Sequence, residues 1–170
     1  MVNDPGAAGD MEKVGRQHLV LGFGNVLLSD DGVGVRLTEQ LRLESGAEAA
    51  RFIDGGTMSF SLLPHLEEAS AVLVIDAANL ESPPGTVQLR EGAAMDTFLK
   101  TKRRRSVHEV GLIDLLDMAR LKGCLPGLRA LLCIQPECID WGADLSPSVR
   151  KAMPSAAREA RLLLDRWAGA

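Results

Sequence analysis

The sequence predicts a three-layer α/β/α sandwich around a five-stranded mixed sheet whose fourth strand runs antiparallel. Three observations point there. Short apolar runs ending in Gly or Asp recur along the chain, beginning with His18-Leu19-Val20-Leu21-Gly22-Phe23-Gly24 and Ala71-Val72-Leu73-Val74-Ile75-Asp76. Stretches with helical spacing of apolar residues alternate with them, which is the pattern of a mostly parallel sheet covered on both faces. The gap between the third and fourth strands is too short for a crossover helix, since a parallel connection takes a dozen or more residues.

Taken in order, the first strand closes at Gly22-Phe23-Gly24. Ser29, Asp30 and Asp31 then offer N-cap side chains to a helix carrying Val33, Leu37 and Leu41 as far as Leu43. Arg51-Phe52-Ile53 reads as a second strand closed by Asp54-Gly55-Gly56, and Leu62, Leu63 and Leu66 as a second helix. The third strand ends at Asp76. After the turn Pro83-Pro84-Gly85, Thr86-Val87-Gln88-Leu89 makes the fourth strand, expected at an edge. A polar, basic stretch from Lys100 to Arg105 precedes an amphipathic helix with Leu112, Ile113, Leu115, Leu116 and Ala119 on one face and Gly123 just beyond its end. Leu128 to Gln135 forms the fifth strand. Ser146 and Pro147 open a last helix with a stripe from Val149 to Trp167, which Pro154 is expected to kink or restart.

Composition narrows the function classes. A net charge of −4 argues against a general nucleic-acid binder. No apolar run reaches the length of a secretory h-region or of a membrane span, so a cytoplasmic protein is expected. Residues 1–17 read as a flexible N-terminal tail, and 18–170 as one α/β domain. Cys124, Cys133 and Cys138 are an odd number without CxxC spacing, which fits core or incidental thiols better than a disulfide framework.

In open α/β sheets, ligands bind beyond the carboxyl ends of the parallel strands. A Rossmann reading of Gly22-Phe23-Gly24 fails because Leu27 stands where a small residue is required. Asp31 after the first strand, Asp76 at the end of the third and His108 ahead of the amphipathic helix can converge on one edge. Two carboxylates and an imidazole suit a divalent transition metal. Helix capping by Asp31, a turn role for Asp76 and a loop role for His108 are the competing readings. His18 and His65 lack partners at motif spacing, and the run from Lys102 to Arg105 is either a solvated loop or an electrostatic guide for an acidic substrate face.

Several segments together resemble the hydrogenase maturation endopeptidases. They are Leu21-Gly22-Phe23-Gly24-Asn25-Val26-Leu27-Leu28-Ser29-Asp30-Asp31-Gly32-Val33-Gly34, Asp54-Gly55-Gly56-Thr57, Val74-Ile75-Asp76-Ala77 with Pro84-Gly85-Thr86, and Ser106-Val107-His108-Glu109-Val110-Gly111-Leu112. Gln135-Pro136 and Leu145-Ser146-Pro147 fit as well, in the family's order from His18 to Trp167. The resemblance implies a five-stranded sheet with the fourth strand antiparallel. It also implies metal ligation by Asp31, Asp76 and His108, and a part in cleavage for Asp54. Some relatives carry glutamate at the position of Asp31 and glutamine at that of Glu109.

By the same resemblance, the protein is expected to remove a C-terminal peptide from the nickel-loaded precursor of a [NiFe] hydrogenase large subunit. Nickel would be carried by that substrate and used for its recognition. Neither a G-x-S-x-G elbow nor an H-E-x-x-H helix is present to supply another mechanism. The metal would either polarise the scissile carbonyl or activate a water. The alternative is a non-catalytic nickel-binding or chaperone protein for the same precursor.

Overall fold

The computed structural model describes residues 17–45, 50–56, 60–102 and 107–169, with only the backbone described at 45, 60, 102 and 107–110. All but Gln17 of the expected tail, and Arg103 to Ser106 of the basic run and motif, lie outside the described residues. Five strands, β1 (His18–Phe23), β2 (Arg51–Gly56), β3 (Ala71–Ala77), β4 (Val87–Glu91) and β5 (Leu128–Ile134), form one sheet in the order β2-β1-β3-β5-β4. Pairing is parallel except between β4 and β5, so β4 is the antiparallel edge strand the short connection predicts.

Alternation along the buried strands divides the core into two layers. Leu19, Leu21, Phe23, Val72 and Val74 face a layer that includes Leu66, Met95, Leu112 and Leu115. Those four residues lie on α2 (Leu63–Glu68), α3 (Gly92–Lys102) and α4 (Val107–Leu121), taken with α1 (Val33–Ser45) and α5 (Pro147–Ala168) as the helices of the fold. Val20, Leu73 and Ile75 face the other layer, where Leu37 and Leu41 of α1 meet Val149, Ala160 and Leu163 of α5. Both faces of β3 are therefore covered, which is why its sequence is a continuous apolar run rather than an alternating one.

Three local expectations change. The sequence reading assigns no element to 92–102, yet α3 forms there and buries Met95, Phe98 and Leu99. Their i, i+3, i+4 spacing is the helical signal that could have found it. Pro154 does not restart the last helix, which runs unbroken for 22 residues. Proline forgoes one backbone bond, but buried Ala152, Ala156, Ala157 and Ala160 hold both sides of it against the sheet. Ser146 does cap α5, its hydroxyl accepting from the Val149 amide at 3.4 Å.

The third change concerns Ser29, Asp30 and Asp31, which form a 3-10 turn (Ser29–Gly32) of their own ahead of α1. What they do instead shapes the site.

Candidate active site

The turn begins where β1 must leave the sheet. Gly24 has φ +123, and a Cβ there would sit 1.8 Å from the carbonyl oxygen of Asp31. Any side chain would push the turn away from the strand end. At the start of α1, a Cβ on Gly34 would lie 2.3 Å from the Ile75 carbonyl oxygen and 2.4 Å from that of Phe23. These two glycines let the segment carrying Asp31 seat directly on the ends of β1 and β3, and the 3-10 turn packs against β3.

Adjacent aspartates in this turn have different tasks. Asp30 is fully buried. Its Oδ1 accepts from the Ser146 amide at 2.7 Å, and its Oδ2 from the amides of Glu137 and Cys138 at 2.9 and 3.0 Å. Burial would push its carboxyl up. The amides of Ser146, Cys138 and Glu137, with the Ser146 hydroxyl, outweigh that and hold it below the usual carboxylate range. Asp30 thus fastens the 3-10 turn to the loop between β5 and α5. Asp31 is 8% exposed, and its Oδ2 accepts from the Asn25 amide at 2.8 Å.

Asp76 sits inside β3 and is 3% exposed. Its neighbour Ile75 pairs with Gly22 of β1, and parallel strands lie roughly 4.8 Å apart, so Asp76 and the turn after β1 share a short stretch of sheet edge. Strand alternation puts Asp76 on the face of Val72 and Val74, the face packed by α4. His108 is the second residue of α4, one turn before buried Leu112, rather than in a loop ahead of the helix. Only its backbone is described.

Asp54 also lies at this edge, opposite Gly22 on the other side of β1. It is exposed, and its Oδ1 accepts from the Gly56 amide at 2.8 Å. Counted along β2 it shares a face with Phe52, which packs in the α1–α5 layer, so Asp54 and Asp76 leave the edge toward different layers. The Gly24 amide bonds the Gly56 carbonyl at 3.0 Å, tying the ends of β1 and β2 together.

Other motif residues serve the framework. The Gln135 side chain accepts from the Leu80 amide at 2.6 Å, while its backbone bonds Gly85 and Thr86 at 2.9 Å each. Gln135 and Pro84-Gly85-Thr86 therefore hold the loop after Asp76 against β5. Cys124, Cys133 and Cys138 are not joined in disulfides, and His18 packs edge-on against Trp167 with ring centres 6.0 Å apart.

Buried carboxylates near the carboxyl-terminal edge of a three-layer sheet place the chain in the class of open α/β proteins whose site lies at the strand ends. Comparison with known proteins names its kind. The family model for hydrogenase maturation proteases matches residues 35–161. The chain is 38% identical over 151 residues to the hydrogenase expression/formation protein HupD of Rhodobacter capsulatus, covering 88% of this chain and 71% of the relative. It is 31% identical over 153 residues to the hydrogenase 2 maturation protease of Escherichia coli, covering 89% and 92%. Among solved structures, the hydrogenase maturating endopeptidase HybD of E. coli superposes with a TM-score of 0.80 at 28% identity, over 88% of this chain and 93% of that one. The chain belongs to the hydrogenase maturation protease family.

Proposed function

We propose that this endopeptidase removes a C-terminal peptide from the precursor of a [NiFe] hydrogenase large subunit after nickel insertion. In this reading Asp31, Asp76 and His108 are the ligands that recognise the nickel carried by that substrate. The observation that carries the proposal is the pair of nearly buried carboxylates, Asp31 and Asp76, on the adjacent ends of β1 and β3. A divalent cation shared by two such carboxylates would offset the cost of burying their charge. His108, in the first turn of the helix that covers the Asp76 face, adds a nitrogen donor suited to nickel.

A cation borrowed from the substrate makes recognition and timing one event, because precursor without nickel offers the carboxylates nothing to bind. Asp54, held at the end of β2, is the further acidic residue at the edge where the scissile segment would pass. Cysteines not joined in disulfides suit a cytoplasmic setting. No helix among the described residues is long and apolar enough to cross a membrane.

The test is to incubate the purified protein with nickel-loaded and nickel-free precursor and follow the gel shift. Cleavage of the loaded form alone is expected, and equal cleavage of both would remove nickel recognition. Mass spectrometry of the precursor separates a protease from a chaperone, since only the former releases a peptide.

A further inference from the structure

Beside the acidic edge, the loop 25–28 and the loop 137–145 are joined into one surface. Leu28 and Gly142 form a parallel bridge, the Ser29 amide bonds the Gly142 carbonyl at 2.7 Å, and the Gly142 amide bonds the Leu27 carbonyl at 2.9 Å. The Ser29 hydroxyl reaches the Asp140 carbonyl at 3.0 Å, and Asp30 holds the same loop from beneath. Arg36 adds bonds to the carbonyls of Val26, at 3.4 Å, and of Ala143.

This rigid framework displays apolar side chains to solvent. Val26 is 38% exposed, Leu27 55%, Ile139 55% and Trp141 79%. A single exposed apolar residue requires no explanation. Four on two bonded loops, one of them tryptophan, make the kind of patch that marks an interaction site. Because the backbone is already held, little ordering would be needed on binding.

We infer that these paired loops are the docking surface for the folded body of the hydrogenase precursor, through an apolar patch on the precursor ringed by basic side chains. The inference rests on the function proposed above and names where the substrate sits. Two observations choose this occupant. First, the patch is continuous with the candidate site, since the segment bearing Val26 and Leu27 also bears Asp31, and Asn25 bonds Asp31 directly. A protein seated here presents its neighbouring chain to the acidic edge. Second, the charge carried by the 137–146 loop itself is of one sign. Glu137, Asp140 and Asp144 are exposed, and the segment from Glu137 to Ser146 contains neither Lys nor Arg. Arg36 and Arg150 at its base are engaged with loop carbonyls. Complementarity therefore calls for a basic rim on the partner. A second copy docked about a two-fold axis would set these acids against themselves.

The experiment measures the affinity of the nickel-free precursor by titration calorimetry, using wild-type protein, since that precursor is expected to stay uncleaved and its docking needs no ligand from Asp76. Trp141→Ser and Leu27→Ser are made separately in that background. Leu121→Ser, 84% exposed in the last turn of α4, is the control. Each patch variant should weaken binding at least tenfold, the control should not, and added salt should weaken the parent. Circular dichroism confirms that the fold is kept; two separate positions guard against one of them misfolding. Unchanged affinity in both folded variants, or no binding by the parent, overturns the docking surface. So does a dimer in sedimentation that Trp141→Ser splits, which would assign the patch to self-association. Cleavage of precursor by the wild-type protein is scored separately, so a failed docking surface is distinguishable from a failed function.

Discussion

The carboxylate of Asp30 meets the amide of Ser146 at 2.7 Å across 116 residues of chain, and this contact positions the turn on which Asp31 stands. A bond of such length in sequence makes the site depend on the completed fold. It also divides two identical neighbours into a fastener and a candidate ligand.

Removing the fastener should be costly. Asp30→Ala leaves the amides of Glu137, Cys138 and Ser146 without their acceptor in a buried place. Unmade bonds to buried donors cost about 1–3 kcal/mol each, so a loss of roughly 3 kcal/mol or more is expected. Urea denaturation followed by circular dichroism measures it, and a change under 1 kcal/mol would contradict the role.

The same carboxylate sets an acid dependence. Its folded-state pKa is depressed, so its stabilisation is present above the unfolded value of about 4 and is lost as pH falls through the folded-state value. Asp30→Asn cannot titrate, and its amide would oppose the donors it faces. The variant should be less stable than the wild type at pH 6, with the gap closing below pH 4. Urea midpoints from pH 6 to 2.5 give the comparison.

Gly24→Ala should damage the site beyond its effect on the fold. Its φ of +123 strains any side chain, and the added Cβ meets the Asp31 carbonyl. Precursor cleavage should drop at least a hundredfold while circular dichroism still reports a folded α/β protein. Full activity would show that the turn tolerates displacement.

Asp76→Asn keeps the size of the side chain and removes its charge. Processing of nickel-loaded precursor should stop, with the thermal melt still cooperative. Retained cleavage on a gel would take Asp76 out of the proposed ligand set.

Away from the site, Arg129 grips Asp96 with two bonds, at 2.6 and 3.1 Å, and both side chains are 18% exposed. A bidentate pair so placed lies between exposed pairs, near zero, and fully buried ones. Arg129→Met should therefore cost about 1–2 kcal/mol by urea denaturation, with cleavage unchanged.

Much of the architecture was legible because its signals are local. The run from Ala71 to Asp76 announces a central strand, and the short span from Ala77 to Thr86 leaves the fourth strand no parallel route. Ser146 and Pro147 mark a helix start that the structure keeps. The helix at 92–102 opens on Gly92 and ends in basic residues, so its local signal is confined to the spacing of Met95, Phe98 and Leu99.

By itself, the sequence determined the order of the strands, the antiparallel edge strand and the arrival of Asp31, Asp54 and Asp76 near the carboxyl ends of β1, β2 and β3. Those follow from periodicity and chain length, which act between near neighbours. Only the tertiary structure decided which aspartate of the tandem pair is a fastener, that Asp54 and Asp76 face different layers, and that Gly142, next to Trp141, bonds Leu27. Such outcomes depend on which backbone amides and faces the folded sheet brings close, and residues more than a hundred positions apart leave no local mark of meeting.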